Sequence, residues 1–276
     1  MKRSDFQLGM GTWKMGENQK PYQEEYEALS FALKNGIAML DTAEMYGNGN
    51  SELLIGDVLK SFPRESVFLV SKVYPHNASR SKMRTACENS LKRLGTSYLD
   101  LYLLHWPGDV PLEETVSAFE ELKQEGLIRS WGVSNFDTVD MKELWNVPGG
   151  SNCAVNQVLY HIASRGVEYD LVPWMREHQV TLMAYCPLAH SDAYRRNITE
   201  NPVLKQIAEN HNASVYQIML AFLVHQENTV ALPKASSQKH IAENLESLKI
   251  KLTEEDLRKI DEAFPPPTTK TELDML

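Results

Sequence analysis

The chain has 276 residues, 42% of them hydrophobic and 24% charged, a balance that excludes a disordered or coiled-coil protein and is ample for one large core. Its 28 Lys and Arg against 37 Asp and Glu give a formal net charge of −9 with no long basic run, which argues against nucleic acid and anionic membranes as partners. No segment approaches the ~18–20 apolar residues of a spanning helix, and Met1-Lys2-Arg3-Ser4-Asp5 has no apolar stretch behind it, so the three cysteines are read as reduced thiols and the expected location is the cytoplasm.

In chain order, eight strand-like runs alternate with amphipathic helical patterns. Strand 6–10 precedes helix 24–35, strand 38–41 precedes helix 51–61, and strand 67–73 precedes helix 79–93. Strand 99–105 is followed by helix 112–124, strand 128–134 by helix 139–145, and strand 153–158 by helix 169–178. Strand 181–185 leads, after a long polar stretch at 186–204, to helix 215–226, and strand 229–232 leads to helix 240–248. The strand runs are almost continuously apolar, as in parallel strands covered on both faces. Asn35-Gly36 and Glu125-Gly126 are helix stops. Thr253, followed by Glu254, Glu255 and Asp256, opens one further helix. Pro265-Pro266-Pro267 then releases a short tail, 268–276. Eight β–α units without a compositional break predict a single domain over 1–276, an α/β fold of the (β/α)8 TIM-barrel type with an extra C-terminal helix.

The chemistry gathers where these runs stop. Asp41 ends the second, Lys72 closes the third and His105 the fourth, while Tyr46 lies in the loop after the second. Singly each admits an ordinary role: Asp41 as a helix cap or surface acid, Lys72 as a solvated strand end, Tyr46 as packing, His105 as a satisfied buried histidine. Together they occupy one face of the barrel, the face that carries catalysis in such folds. A lysine cation beside a tyrosine stabilises the phenolate and is expected to lower the phenol's pKa below its ordinary ~10. Asp41 would keep Lys72 charged and aimed. Tyr46 would then donate a proton to a developing alkoxide, and His105 a second hydrogen bond to the same oxygen. That set suits carbonyl reduction, which needs a hydride donor.

The usual dinucleotide turn is missing, since Gly9-Met10-Gly11 is too short for it. Later strand ends offer another scheme: Ser134-Asn135, Asn156-Gln157 and Tyr185 present amides, a hydroxyl and a ring suited to a nicotinamide carboxamide and pyridine face. Ser134-Asn135 is equally ordinary turn chemistry. Lys234-Ala235-Ser236-Ser237 reads either as a phosphate site or as a plain helix cap.

Gly11-Thr12-Trp13, Asp41-Thr42-Ala43-Glu44-Met45-Tyr46-Gly47, Ser71-Lys72-Val73, Leu104-His105-Trp106-Pro107, Gly132-Val133-Ser134-Asn135-Phe136, Ala184-Tyr185-Cys186-Pro187-Leu188 and Leu232-Pro233-Lys234 form an ordered set along the whole chain. In this set the chain resembles the aldo-keto reductases; its compact loops, with Glu44-Met45-Tyr46, and its ending Lys270-Thr271-Glu272-Leu273-Asp274-Met275 look most like bacterial members that reduce methylglyoxal and similar small aldehydes. The resemblance implies an NADP(H)-dependent aldehyde reductase, with NAD(H) accepted at lower affinity. It assigns Tyr46 as proton donor, tuned by Lys72 and Asp41, and His105 as the residue that orients the carbonyl. It implies that Ser134, Asn135 and Gln157 hold the carboxamide and Tyr185 stacks on the nicotinamide. Gly11, Thr12, Trp13, Asp41, Pro187 and Leu188 would border the cofactor. Lys234, Ser236 and His240 would meet the 2′-phosphate, and Glu243 and Asn244 the adenine. Trp13 and Trp106 would line the substrate pocket with Tyr46 and His105. No metal is expected, the partner is a small carbonyl compound, and a monomer is expected.

Three departures stand out. Only a few residues precede the first strand, where many relatives carry a hairpin that plugs the barrel. Ala235 stands where Ser or Thr is common, and His240 where an arginine commonly clasps the phosphate, which weakens the expected preference for NADPH. Two other functions are open to the same residues: a Schiff-base aldolase or lyase acting through Lys72, and a slow-turnover regulatory barrel that senses the nucleotide.

Overall fold

The computed structural model describes residues 6–18 and 21–276. Residues 1–5, on which the expectation about an N-terminal hairpin falls, lie outside them. Eight parallel strands run in sequence order: β1 (Met10–Gly11), β2 (Met39–Asp41), β3 (Phe68–Val73), β4 (Leu101–Leu104), β5 (Trp131–Ser134), β6 (Val155–Leu159), β7 (Thr181–Tyr185) and β8 (Thr229–Leu232). The seam between the first and last is closed by a bridge between Leu8 and Ala231. Gly9 N donates to Ala231 O (2.9 Å), Ala231 N to Gln7 O (3.0 Å) and Gly11 N to Pro233 O (3.0 Å). The expected first strand at 6–10 therefore shrinks to two paired residues and one bridge.

The helices that cover the strands are α1 (Tyr22–Lys34), α2 (Asn50–Leu59), α3 (Arg80–Leu94), α4 (Leu112–Gln124), α5 (Thr138–Asn146) and α6 (Leu171–Glu177). After β7 come α7 (Asp192–Thr199), α8 (Pro202–Asn210) and α9 (Val215–Val224), and after β8 come α10 (Gln238–Glu246) and α11 (Glu254–Ala263). The polar stretch at 186–204 is thus largely helical. Ser191 caps α7 and Asn201 caps α8, with Pro202 in its first turn. Thr253 and Asp256 form a reciprocal capping box on α11.

Strand alternation explains where the chemistry goes. Successive side chains on a strand point to opposite faces. Met39, Phe68, Val70, Leu101, Leu103, Val155, Met183, Val230 and Leu232 fill the barrel interior, whereas their neighbours Leu40, Leu69, Tyr102, Leu104 and Leu182 pack outward against the helices. Counting on by two from the interior residues reaches Asp41, Lys72, His105, Gln157 and Tyr185. On β5 the outward residues are Trp131 and Val133, so Ser134 shares the interior phase. Gly132 shares it too, and only glycine fits there: a Cβ would lie 2.4 Å from Val155 O.

The tail after Pro267 lies on the barrel. Lys270 Nζ is 2.9 Å from Asp170 Oδ1 and 3.8 Å from Asp137 Oδ2, and Leu273 packs on the core. Ser164 Oγ donates to Asp274 Oδ2 (2.5 Å), and the Leu276 backbone comes beside the Tyr185 hydroxyl. Among the described residues, no helix is long and apolar enough to cross a membrane.

Candidate active site

Asp41, Lys72 and Tyr46 come together at the mouth of the barrel. Lys72, fully buried, donates from Nζ to Asp41 Oδ2 (2.7 Å), Thr42 O (2.9 Å) and Tyr46 OH (3.1 Å). Three acceptors match the three hydrogens of an ammonium. Asp41 spends its second oxygen on Gln157 Nε2 (2.8 Å), and its carbonyl accepts from Thr12 Oγ1 (2.9 Å). Tyr46 opens a tight turn, Tyr46–Gly49, in which Gly47 and Asn48 take positive φ values of 56° and 52°. His105 stands against Tyr46 with ring centroids 5.7 Å apart and planes at 70°. Its Nδ1 is buried without a partner.

The electrostatics differ from the sequence expectation at Tyr46. Burial raises the phenol above its ordinary value; Lys72 pulls it down, Asp41 pushes it up, and the net direction is upward. The expected fall is overturned because desolvation outweighs the neighbouring cation. The phenol is therefore held protonated at neutral pH. Lys72 ends above its ordinary value: burial lowers it, but Asp41 and Tyr46 more than compensate. His105 is lowered to about 2 by burial and by the Lys72 charge, so its ring is neutral. Burial also raises the Cys186 thiol to about 11, which removes thiolate chemistry from this face.

A second group adjoins the first. Tyr185 OH donates to Asn135 Oδ1 (2.9 Å), Asn135 Nδ2 donates to His105 O (3.1 Å) and Ser134 Oγ (3.2 Å), and Ser134 Oγ donates to Gln157 O (2.8 Å). Gln157 links this chain to Asp41. Pro187 and Leu188 follow directly in the loop after β7.

On the β1 side of the site, Gly11 pairs in register with Asp41 of β2, and Trp13 stands 36% exposed at the rim. Lys234 Nζ reaches Lys14 O (3.4 Å), and Lys14 Nζ lies 4.4 Å from the Trp13 ring centroid. Desolvation lowers Lys234 below the usual lysine value, against the pull of Glu25 and with the push of Lys14. Two lysines at this part of the rim, close enough for the Lys14 charge to bear on Lys234, favour an anion there. Ser237, not Ser236, caps α10. His240 is exposed in its first turn, Asn244 is buried, and Glu243 pairs with Lys239 at 3.8 Å. These α10 residues stand apart from the Tyr46 group. On the opposite rim Trp106 meets the edge of Tyr74, with centroids 5.8 Å apart. Among the described residues, no group of three or more His, Cys, Asp or Glu is arranged to hold a metal ion.

Sequence reasoning missed three contributors. Thr42 acts through its carbonyl, which no side-chain pattern reveals. Lys14 was hidden in a turn, although its neighbour Trp13 was picked out. Glu44 Oε1 accepts from Tyr74 N (2.7 Å) and Asn77 Nδ2 (3.1 Å), joining the loops after β2 and β3.

Comparison with known proteins follows the same lines. Residues 7–264 match the model of the aldo/keto reductase family. Methylglyoxal reductase YeaE of Escherichia coli is 48% identical over 98% of this chain and 94% of its own length. Glyoxal reductase of Bacillus subtilis is 36% identical over 92% of this chain and 87% of its own. A crystal structure of an aldo/keto reductase from Klebsiella pneumoniae in complex with NADP and acetate superposes with a TM-score of 0.95 at 47% identity, covering 98% of this chain and 95% of that one.

Proposed function

Because the chain belongs to the aldo/keto reductase family, we propose that it reduces small aldehydes and ketoaldehydes of the methylglyoxal kind to alcohols with NADPH. The observation that carries this reading is the Tyr46 hydroxyl, 3.1 Å from a buried ammonium that Asp41 holds in place. The naming of relatives as methylglyoxal and glyoxal reductases supports the substrate class, and the relative crystallised with NADP supports the cofactor.

The donor set fits that cofactor. Lys234, whose Nζ reaches the Lys14 carbonyl and which feels the Lys14 charge, suits phosphate. Ser134, Asn135 and Gln157 gather amide and hydroxyl groups for a carboxamide, and the Tyr185 ring lies beside them. Gly11, Thr12, Trp13, Asp41, Pro187 and Leu188 would border the cofactor, and Ser236, His240, Glu243 and Asn244 would face its nucleotide end. When bound there, NADPH would supply a hydride for the carbonyl carbon. Tyr46 gives its proton to the carbonyl oxygen, and the phenolate left behind is stabilised by the Lys72 ammonium, which Asp41 keeps charged and in place. Neutral His105 orients the carbonyl oxygen, while Trp13 and Trp106 flank the substrate.

The Schiff-base alternative runs against the geometry. A nucleophilic lysine must lose its proton, and Lys72 is held protonated by three acceptors. The test is NADPH oxidation, followed by absorbance, against a panel of aldehydes and ketones, with borohydride trapping in parallel. Turnover of methylglyoxal with NADPH is expected. Substrate trapped on Lys72 without any need for NADPH would establish the lyase, and tight NADPH binding with negligible turnover would establish a sensor. NADH is expected to serve with lower affinity.

A further inference from the structure

The chain bends sharply after Tyr185. Cys186 and Ala189 both take left-handed backbone, with φ of 50° and 62°, though neither is glycine. A bend of this kind keeps its shape only when its surroundings over-determine it. Inside the bend Ala189 N donates to Cys186 O (2.9 Å). From outside, one side chain grips it twice: Arg195 donates from Nε to Leu188 O and from Nη2 to Ala189 O, both at 2.9 Å. Its Nη1 is 3.1 Å from Asp192 Oδ1, which balances the charge. The anchor is itself secured. Arg195 belongs to α7, whose start Ser191 caps, whose Ile198 is buried in the core, and whose Tyr194 hydroxyl donates to Ala163 O (3.0 Å).

We infer that Arg195 is a positioning residue for the cofactor: it fixes the 186–189 bend in the shape that lets Pro187 and Leu188 cover the nucleotide. Its side chain is spent on Leu188 O, Ala189 O and Asp192, away from Tyr46, Lys72 and His105. A planar fork suits this, because it meets the two adjacent carbonyls from two nitrogens held in fixed geometry, whereas a lysine would have to bring both to a single, freely rotating Nζ. The inference rests on the reading that NADPH lies beside Tyr185.

The test compares wild type with Arg195→Ala, Arg195→Lys and Lys234→Ala. Binding of NADPH and NADH is measured by fluorescence, cofactor release by stopped flow, and aldehyde reduction by single turnover at saturating NADPH. Losing two charge-assisted bonds is expected to weaken both cofactors equally in Arg195→Ala, by roughly tenfold, through faster release. Arg195→Lys should fall between wild type and Ala. The single-turnover rate and its pH profile should stay at wild-type values. Lys234→Ala should instead weaken NADPH selectively. Affinity in Arg195→Ala within about twofold of wild type would overturn the inference, as would a loss confined to NADPH or a lysine variant no better than alanine. Should the Ala variant fail to fold, Arg195→Lys carries the test, with a loss shared by both cofactors expected and none overturning it. Failure of the wild type to bind either cofactor would overturn the functional reading itself.

Discussion

In the proposed reaction Tyr46 is the residue on which the chemistry turns. Tyr46→Phe should lower turnover by about 10²–10⁴-fold while NADPH binds as before, since only the acid is lost. Near-normal turnover in that variant, measured in steady state with methylglyoxal, would remove Tyr46 from the role. The pH profile carries a second expectation. Tyr46 must be protonated to act, and burial holds its pKa above the ordinary ~10; His105 titrates only near 2. Neither group changes charge in the usual assay window, so kcat should be flat from about pH 6 to pH 9. An inflection near neutrality would show another group at work. Lys72→Met would do more than stop catalysis. It leaves the Asp41 carboxylate buried without its counter-ion, a loss of about 3–5 kcal/mol that a urea unfolding curve would register.

The elements that hold these residues were legible to different degrees. Long apolar runs such as those ending at Lys72 and His105 marked their strands, because a parallel strand covered on both faces has no polar side to dilute it. The ionisable residue at each end then marked the catalytic face. β1 was misplaced because so short a strand is set by its partners across the seam, not by its own apolar content. α7 escaped because its exposed surface is polar and Ile198 is the residue it buries. The direction of the Tyr46 shift depends on depth of burial, which a one-dimensional pattern does not contain. Where caps were visible, the structure has them. Thr253→Ala should therefore cost about 1 kcal/mol by deleting the α11 capping box. In a domain of this size that corresponds to a fall of roughly 2–4 °C in Tm, read by calorimetry. An unchanged Tm would mean that α11 draws nothing from its cap.

At the scale of the whole molecule, the tail and the short loops shape what can enter. The connection from β4 to α4 is brief, and the tail reaches the rim by Ser164 and Tyr185. A long apolar ligand needs more wall than this, so methylglyoxal should exceed a steroid ketone in kcat/KM. A steroid optimum would contradict it. His240 belongs to this scale too, since a cation there acts on a ligand lying along the rim. His240→Arg should tighten NADPH and leave NADH unaltered, because arginine stays charged and forked where histidine does not. Equal NADPH affinity in both proteins would place His240 out of reach of the phosphate. The seam between β1 and β8 has a different consequence. It is laced by a handful of hydrogen bonds at Gln7, Gly9, Gly11 and Ala231, and Trp13, Lys14 and Lys234 stand at its upper end. A nucleotide lying between those residues would act as a clasp on the last joint of the cylinder. Deuterium uptake at the amides of Gly9, Gly11 and Ala231 should then slow first when NADPH is added. Thermal resistance should grow with its concentration, by about 2.7 kcal/mol at a hundredfold excess over Kd.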